Sequence, residues 1–181
     1  MEQNKQVFDS ALDLIGNTPL IKLNKMTYEF KGNYHAKVEA FNKGHSKKDR
    51  IELYIIEQAE KQGIIKPGDT IIETTSGNTG FSLAMVSVIK GYDCILAVSS
   101  KSSADKIDML KTMGAKVYVC PANVSADDPR SYYEVAKRLH SEIKGSVYIN
   151  QYFNQLNLDA HYKSNSPEFW NQRAGHITNL L

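Results

Sequence analysis

Between residues 69 and 152, short β-branched runs alternate with longer segments of helical period, and this alternation restricts the possible folds more than any other feature of the chain. "DTIIET" (69 to 74) reads as a strand, "GFSLAMVSVIKG" (80 to 91) as a helix closing on Gly91, and "DCILAVS" (93 to 99) as a second strand. A further unit follows, with "SADKIDMLKTMGA" as a helix, "KVYVC" as a strand, "PRSYYEVAKRLHSEIKG" as a helix and "SVYINQY" as a strand. The expected class is α/β, a mostly parallel twisted sheet with helices on both faces. "TPLIKLNK" and "NYHAKVEAF" read as strands ahead of the first helix, and "GHITNLL" as a strand-like apolar run whose abruptness suggests a fragment.

A chain of 181 residues that is 41% hydrophobic can bury a core. Its formal charge of +2 carries no electrostatic claim on nucleic acid or a membrane surface, so the expected partner is a small molecule. No apolar run approaches the roughly 20 residues of a membrane span, and the first residues lack a secretory signal pattern, which makes the cytoplasm the default. Cys94 and Cys120 sit in apolar strand-like runs without C-x-x-C spacing and read as buried reduced thiols. The five histidines show no paired ligand spacing, so no metal is expected.

Two lysines open the segment "KKDRIELYIIEQAEK". Ser46 with Asp49 three residues later resembles a capping box, which sets Lys47 and Lys48 in the first turn of a helix. Lys48 then shares a face with Ile51, Ile55 and Ala59, with Glu52 leaning toward the same arc, while Lys47 lines up with Arg50, Tyr54, Gln58 and Lys61. Periodicity thus makes Lys48 the inward one. A desolvated lysine loses affinity for its proton and supplies the neutral amine that carbonyl chemistry needs. The competing reading is two solvated first-turn charges, and position alone does not decide between them.

The second signal is "TTSGNTG" (74 to 80), between a strand and a helix, where free backbone N–H groups and the positive end of the helix dipole favour an anion such as a carboxylate or phosphate. It is neither G-x-G-x-x-G nor a P-loop, so a dinucleotide or nucleoside triphosphate does not follow. A plain βα turn of small polar residues is the alternative.

Taken together, "IGNTPLIKL" (15 to 23), "NKGHSKKDRI" (42 to 51), "KPGDTIIETTSGNTG" (66 to 80), "KGYDCILAV" (90 to 98), "SADKIDMLKTMGAKV" (103 to 117) and "NQYFNQLNLDAHY" (150 to 162) resemble, in order, the cysteine synthase and cystathionine β-synthase family. These are fold type II pyridoxal phosphate enzymes, tryptophan synthase β-like in fold. "SADDPRSYYEVAKRLHSEI" (125 to 143) resembles the cystathionine synthase branch more than the plain cysteine synthases. The resemblance implies that Lys48 bonds the pyridoxal 5'-phosphate cofactor covalently and acts as catalytic base, and that Asn78 hydrogen-bonds the cofactor's ring hydroxyl. Thr75, Ser76, Gly77, Thr79 and Gln151 would bind the amino-acid carboxylate. The implied reaction is β-replacement on L-serine or O-acetyl-L-serine by a thiol or sulfide, giving cystathionine or cysteine.

Lys43 and His45 depart from the family's usual proline or alanine and glycine, and Lys43 is expected to face solvent. "SNSPEFW" (164 to 170) departs too. Family members continue into a Gly/Thr-rich loop for the cofactor phosphate and a serine or threonine against the pyridine nitrogen, neither of which this sequence contains. The resemblance therefore implies N-terminal strands of a larger domain over 1–43, a smaller α/β domain over 44–150, and the start of the larger domain over 151–181, with its C-terminal part missing. It also implies a homodimer in a full-length parent. A non-catalytic binding or dimerisation module is the alternative reading, and a nucleotide-binding Rossmann protein is a third.

Overall fold

The computed structural model describes residues 7–75 and 77–181. The alternating segment folds as expected. Strands β3 (Thr70–Thr75), β4 (Asp93–Ser99), β5 (Lys116–Cys120) and β6 (Ser146–Tyr148) form a parallel sheet in the order β5-β4-β3-β6. They follow β1 (Leu20–Lys22) and β2 (His35–Lys37), an antiparallel pair near the start of the chain. The helices are α1 (Lys48–Lys61), α2 (Asn78–Lys90), α3 (Ala104–Thr112), α4 (Tyr132–Glu142), α5 (Leu156–Ala160) and α6 (Ser166–Gln172), the last two joined by a π-helical segment, His161–Asn165.

Side-chain alternation in β4 divides the core. Cys94, Leu96 and Val98 join Ile71 under Ile51, Ile55 and Ile56 of α1, Leu83 and Val86 of α2 and Leu110 of α3. Ile95 and Ala97 join Ile72 and Cys120 under Val135, Ala136 and Leu139 of α4. Strands buried on both faces read as continuous apolar runs, which is why β3 and β4 could be read from sequence. Local chemistry sets the helix ends. Gly91 closes α2 in the left-handed region (φ 77°), and Ser131 caps α4 by accepting from the Glu134 amide at 3.2 Å. Both cysteines are buried and free, and no helix among the described residues is long and apolar enough to cross a membrane.

The ends of the chain depart from expectation. "NYHAKVEAF" yields only His35–Lys37 as strand before a 3-10 turn at Glu39–Phe41, and "SVYINQY" stops at Tyr148 because Asn150 adopts φ 49° and turns the chain. Residues 176–181 form no strand, since an apolar run needs a neighbouring ladder to become one and none is present there among the described residues.

Arg50 is the main correction on α1. Expected on the outer stripe with Lys47, it is 4% exposed, because the Glu39–Phe41 turn and α6 cover that side of the helix. Its guanidinium donates to both oxygens of Glu39 (2.7 and 2.9 Å), to both oxygens of Glu168 (2.6 and 2.8 Å) and to Thr18 Oγ1 (3.1 Å). Lys37 Nζ also reaches Glu168, at 2.6 Å. This network ties β2, α1 and α6 together.

Desolvation works against the Glu168 charge, but the hydrogen bonds from Arg50, Lys37 and the Asn17 amide win and hold the carboxyl down at about 2. A depressed folded-state value means the stabilisation is complete above the ordinary 4.5 and is lost as pH falls toward about 2. Urea midpoints of the wild type and Glu168→Gln are therefore expected to differ at neutral pH and to converge across that acid window. A difference that persists at its bottom would contradict the charged network.

Candidate active site

A cavity of about 260 Å³ opens where β3 ends and α2 begins, lined by Lys48, Thr75, Gly77, Asn78, Thr79 and Gln151 together with Ser46, Lys47, Thr74 and Tyr152. Six of the seven sites singled out in the sequence thus meet in one place. Ser76 lies outside the described residues.

The turn into α2 is built around Thr75. Its Oγ1 accepts from the amides of Gly77 (3.2 Å) and Gly80 (3.0 Å). Gly80 has to be small, because a Cβ there would lie 2.5 Å from Thr75 Cγ2. Gly77, the residue before α2, gives the helix no side-chain cap; Thr75 takes the Gly80 amide, and the amides of the cavity-lining Asn78 and Thr79 have no hydrogen-bond partner among the described residues. Thr75→Val removes the acceptor of two amides while preserving shape. We expect it to cost about 1–3 kcal/mol in chemical denaturation; an unchanged midpoint would show that the hydroxyl does not organise the turn.

Lys48 starts α1, and its amide donates to Ser46 Oγ at 2.9 Å. The reciprocal half of the expected capping box is absent. Asp49, 0% exposed, accepts instead from the Gly44 amide at 2.5 Å and from Ser82 Oγ of α2. That carboxylate fills the space a side chain at position 44 would need and locks the first turn of α1 against α2, which fixes Lys48 relative to the cradle. As periodicity indicated, Lys47 is exposed and Lys48 half-buried. Burial pushes the Lys48 amine below its ordinary value, opposed by Glu52, reinforced by Lys47 and opposed again by Glu73. Lys43 and His45 are both exposed.

Gln151 enters from the turn after β6, where its backbone N–H donates to Glu73 Oε2 at 3.0 Å. Its side-chain oxygen accepts from Thr79 Oγ1 at 2.9 Å. The amide nitrogen Nε2 is buried without a hydrogen-bond partner among the described residues. A buried donor left unpaired at a cavity wall is a group shaped for an acceptor that the cavity receives. Glu73 was not singled out as a site residue, and the only sequence signal for it was a charge inside an otherwise apolar strand. Fully buried on β3, it accepts from the amide and hydroxyl of Thr74 at 2.6 and 3.1 Å and so anchors both β3 and the Gln151 turn.

Residues 11–181 match the family described as pyridoxal-phosphate dependent enzyme. The chain is 42% identical over 183 residues to cystathionine beta-synthase of Mus musculus, covering all of this chain and 33% of that protein. It is also 42% identical over 177 residues to cysteine synthase 1 of Emericella nidulans, covering 98% and 48%. The crystal structure of O-ureido-L-serine synthase matches 95% of this chain and 53% of that one, with a TM-score of 0.87 and 33% identity. A hydrogen sulfide-producing enzyme from Fusobacterium nucleatum matches with a TM-score of 0.85 and 34% identity. The chain thus spans between a third and a half of the length of these curated relatives. A match over nearly the whole chain, on the same parallel fold, shows that this chain belongs to the pyridoxal-phosphate dependent enzyme family.

Proposed function

We propose that this chain supplies the amine and the carboxylate cradle of a pyridoxal phosphate-dependent β-replacement site. The substrates would be L-serine or O-acetyl-L-serine with a thiol or sulfide, and the products cystathionine or cysteine. The observation that carries this reading is one cavity lined by Gln151, whose Nε2 has no hydrogen-bond partner among the described residues, by the start of α2 and by a lysine whose amine is pushed down by burial. An α-amino acid needs those features together, a set of donors for its carboxylate and a neutral amine beside its α-carbon.

The residues present fit the cofactor: Lys48 would hold it covalently and Asn78 would hydrogen-bond its ring hydroxyl. When bound, the cofactor supplies the electron sink that makes a proton at the substrate α-carbon labile. Lys48 Nζ takes that proton, and its fixed position at the start of α1 keeps it over the carbon. Thr79, Gln151 and the amides of Asn78 and Thr79 hold the substrate carboxylate. Thr75 acts by fixing the turn that carries them, since its own hydroxyl is engaged with Gly77 and Gly80. The acceptor decides between lyase and transferase chemistry, and the resemblance of 125–143 to the cystathionine synthase branch favours homocysteine. We also read 44–150 as the smaller domain, with 1–43 and 151–181 belonging to the larger one. The protein is read as cytoplasmic, without nucleic-acid or membrane partners, and as a homodimer in a full-length parent, supported by two buried free thiols and exposed Ile21, Phe30 and Phe41.

Gln151→Leu tests the cradle. Losing one hydrogen bond to a charged group is expected to weaken L-serine binding about ten- to a hundredfold. The measurement is a titration of the visible spectrum of the pyridoxal phosphate-loaded protein. Unchanged affinity would remove Gln151 from the substrate site.

A further inference from the structure

Behind Lys48 sits a carboxyl group that the reaction above does not use. Glu52 is 0% exposed, and neither of its oxygens has a hydrogen-bond partner among the described residues. It follows Lys48 by four residues on α1, so the two side chains are neighbours on one helix face, with Cβ atoms about 5–6 Å apart. Asp49 and Glu52 on α1 and Glu73 on β3 are all buried carboxyl groups, and they differ in what satisfies them. Asp49 accepts from the Gly44 amide and Ser82, and Glu73 from the Gln151 amide and from Thr74. Glu52 accepts from nothing among the described residues.

A carboxylate deprived of donors in a dry site costs several kcal/mol, whereas the neutral acid costs far less. Burial pushes the Glu52 acid strongly upward and the neighbouring Glu73 charge pushes the same way; Lys48 opposes them and Asp49 adds to them. The remaining elements packed on α1 offer little more charge. On α2 the only charged residue is Lys90, which pairs with Glu60; α5 carries Asp159, and the π-helical segment carries His161 and an exposed Lys163.

We propose that Glu52 is held as a neutral acid behind Lys48, because a dry site that offers its carboxyl no donor favours the protonated form, so that no carboxylate on this face of α1 holds Lys48 as an ammonium. The inference rests on Lys48 being the reactive amine, but its tests require no cofactor, so failure of cofactor uptake and failure of this proposal are separate results.

The first test is an infrared difference spectrum of the cofactor-free chain, wild type minus Glu52→Gln, at neutral pH. The expected result is a protonated-carboxyl C=O band that Glu52→Gln abolishes and Glu73→Gln leaves in place. No band, or a band lost with Glu73→Gln instead, overturns the proposal. The second test is the pH profile of Lys48 reductive methylation by formaldehyde, read by peptide mass spectrometry. Glu52→Gln replaces one neutral group by another, so its rate at neutral pH should stay within about twofold of wild type. A rise of about tenfold or more would mean that a charged Glu52 had been holding Lys48 as an ammonium, and would overturn the proposal. If Glu52→Gln loses cooperative melting, Glu52→Met replaces it in both tests. Alkaline titration of the wild-type band then reads the proton without any variant, and a band absent throughout that titration is again the overturning result.

Discussion

Arg50→Ala is expected to lose about 3–5 kcal/mol of stability, the cost of breaking a buried ion pair by removing one partner. The guanidinium is almost fully buried, and both Glu39 and Glu168 depend on it. Its removal leaves Glu39 with Thr18 and Asn42, and Glu168 with Lys37 and the Asn17 amide, to satisfy their charges. Arg50→Lys should recover only a minor part, because a single ammonium cannot make two forked contacts in different directions. Urea denaturation measures both variants. A loss below about 1 kcal/mol for Arg50→Ala would place the network with ordinary surface pairs. The effect should extend to the cavity, since Arg50 belongs to the same first turns of α1 that position Lys48.

In the proposed reaction, Lys48→Ala is expected to lower turnover of L-serine with a thiol by about 10²–10⁴-fold, the usual contribution of a positioned general base, while leaving the melting temperature nearly unchanged. The two outcomes separate because the amine is half-buried at a cavity wall and makes no ion pair among the described residues, so little packing is lost with it. Lys61→Ala is the control. Its side chain is exposed at the far end of α1, away from the cavity, and activity should stay within about twofold of wild type. Equal losses in the two variants would put the base elsewhere.

The sequence disclosed most where one physical signal acted alone. Strands β3 and β4 are buried on both faces and read as short apolar runs, and α2 between them, buried all round from Ser82 to Ser87, was identified by its length and by the Gly91 that closes it. Lys48 could be told from Lys47 because a helix face is a local property. Arg50 could not be read this way, because its partner Glu168 lies 118 residues away and converts an outward position into a buried one. Asp49 misled for a similar reason: its spacing from Ser46 suits a cap, but Gly44 and Ser82 bind its carboxylate more directly. Gln151 carries no local signal and entered through family resemblance. Its placement depends on the left-handed Asn150 and on the Glu73 carboxylate, neither of which the strand-like run "SVYINQY" announces.

The most direct test of the assignment of Lys48 is the visible absorption spectrum of the purified chain with pyridoxal phosphate, recorded beside Lys48→Ala, before and after addition of L-serine. The expected result is an absorption band that requires Lys48 and changes when L-serine enters the cradle of Thr79, Gln151 and the α2 amides. A chain that gives no such band, or one whose band survives Lys48→Ala, would contradict the claim that these residues form a cofactor and amino-acid site.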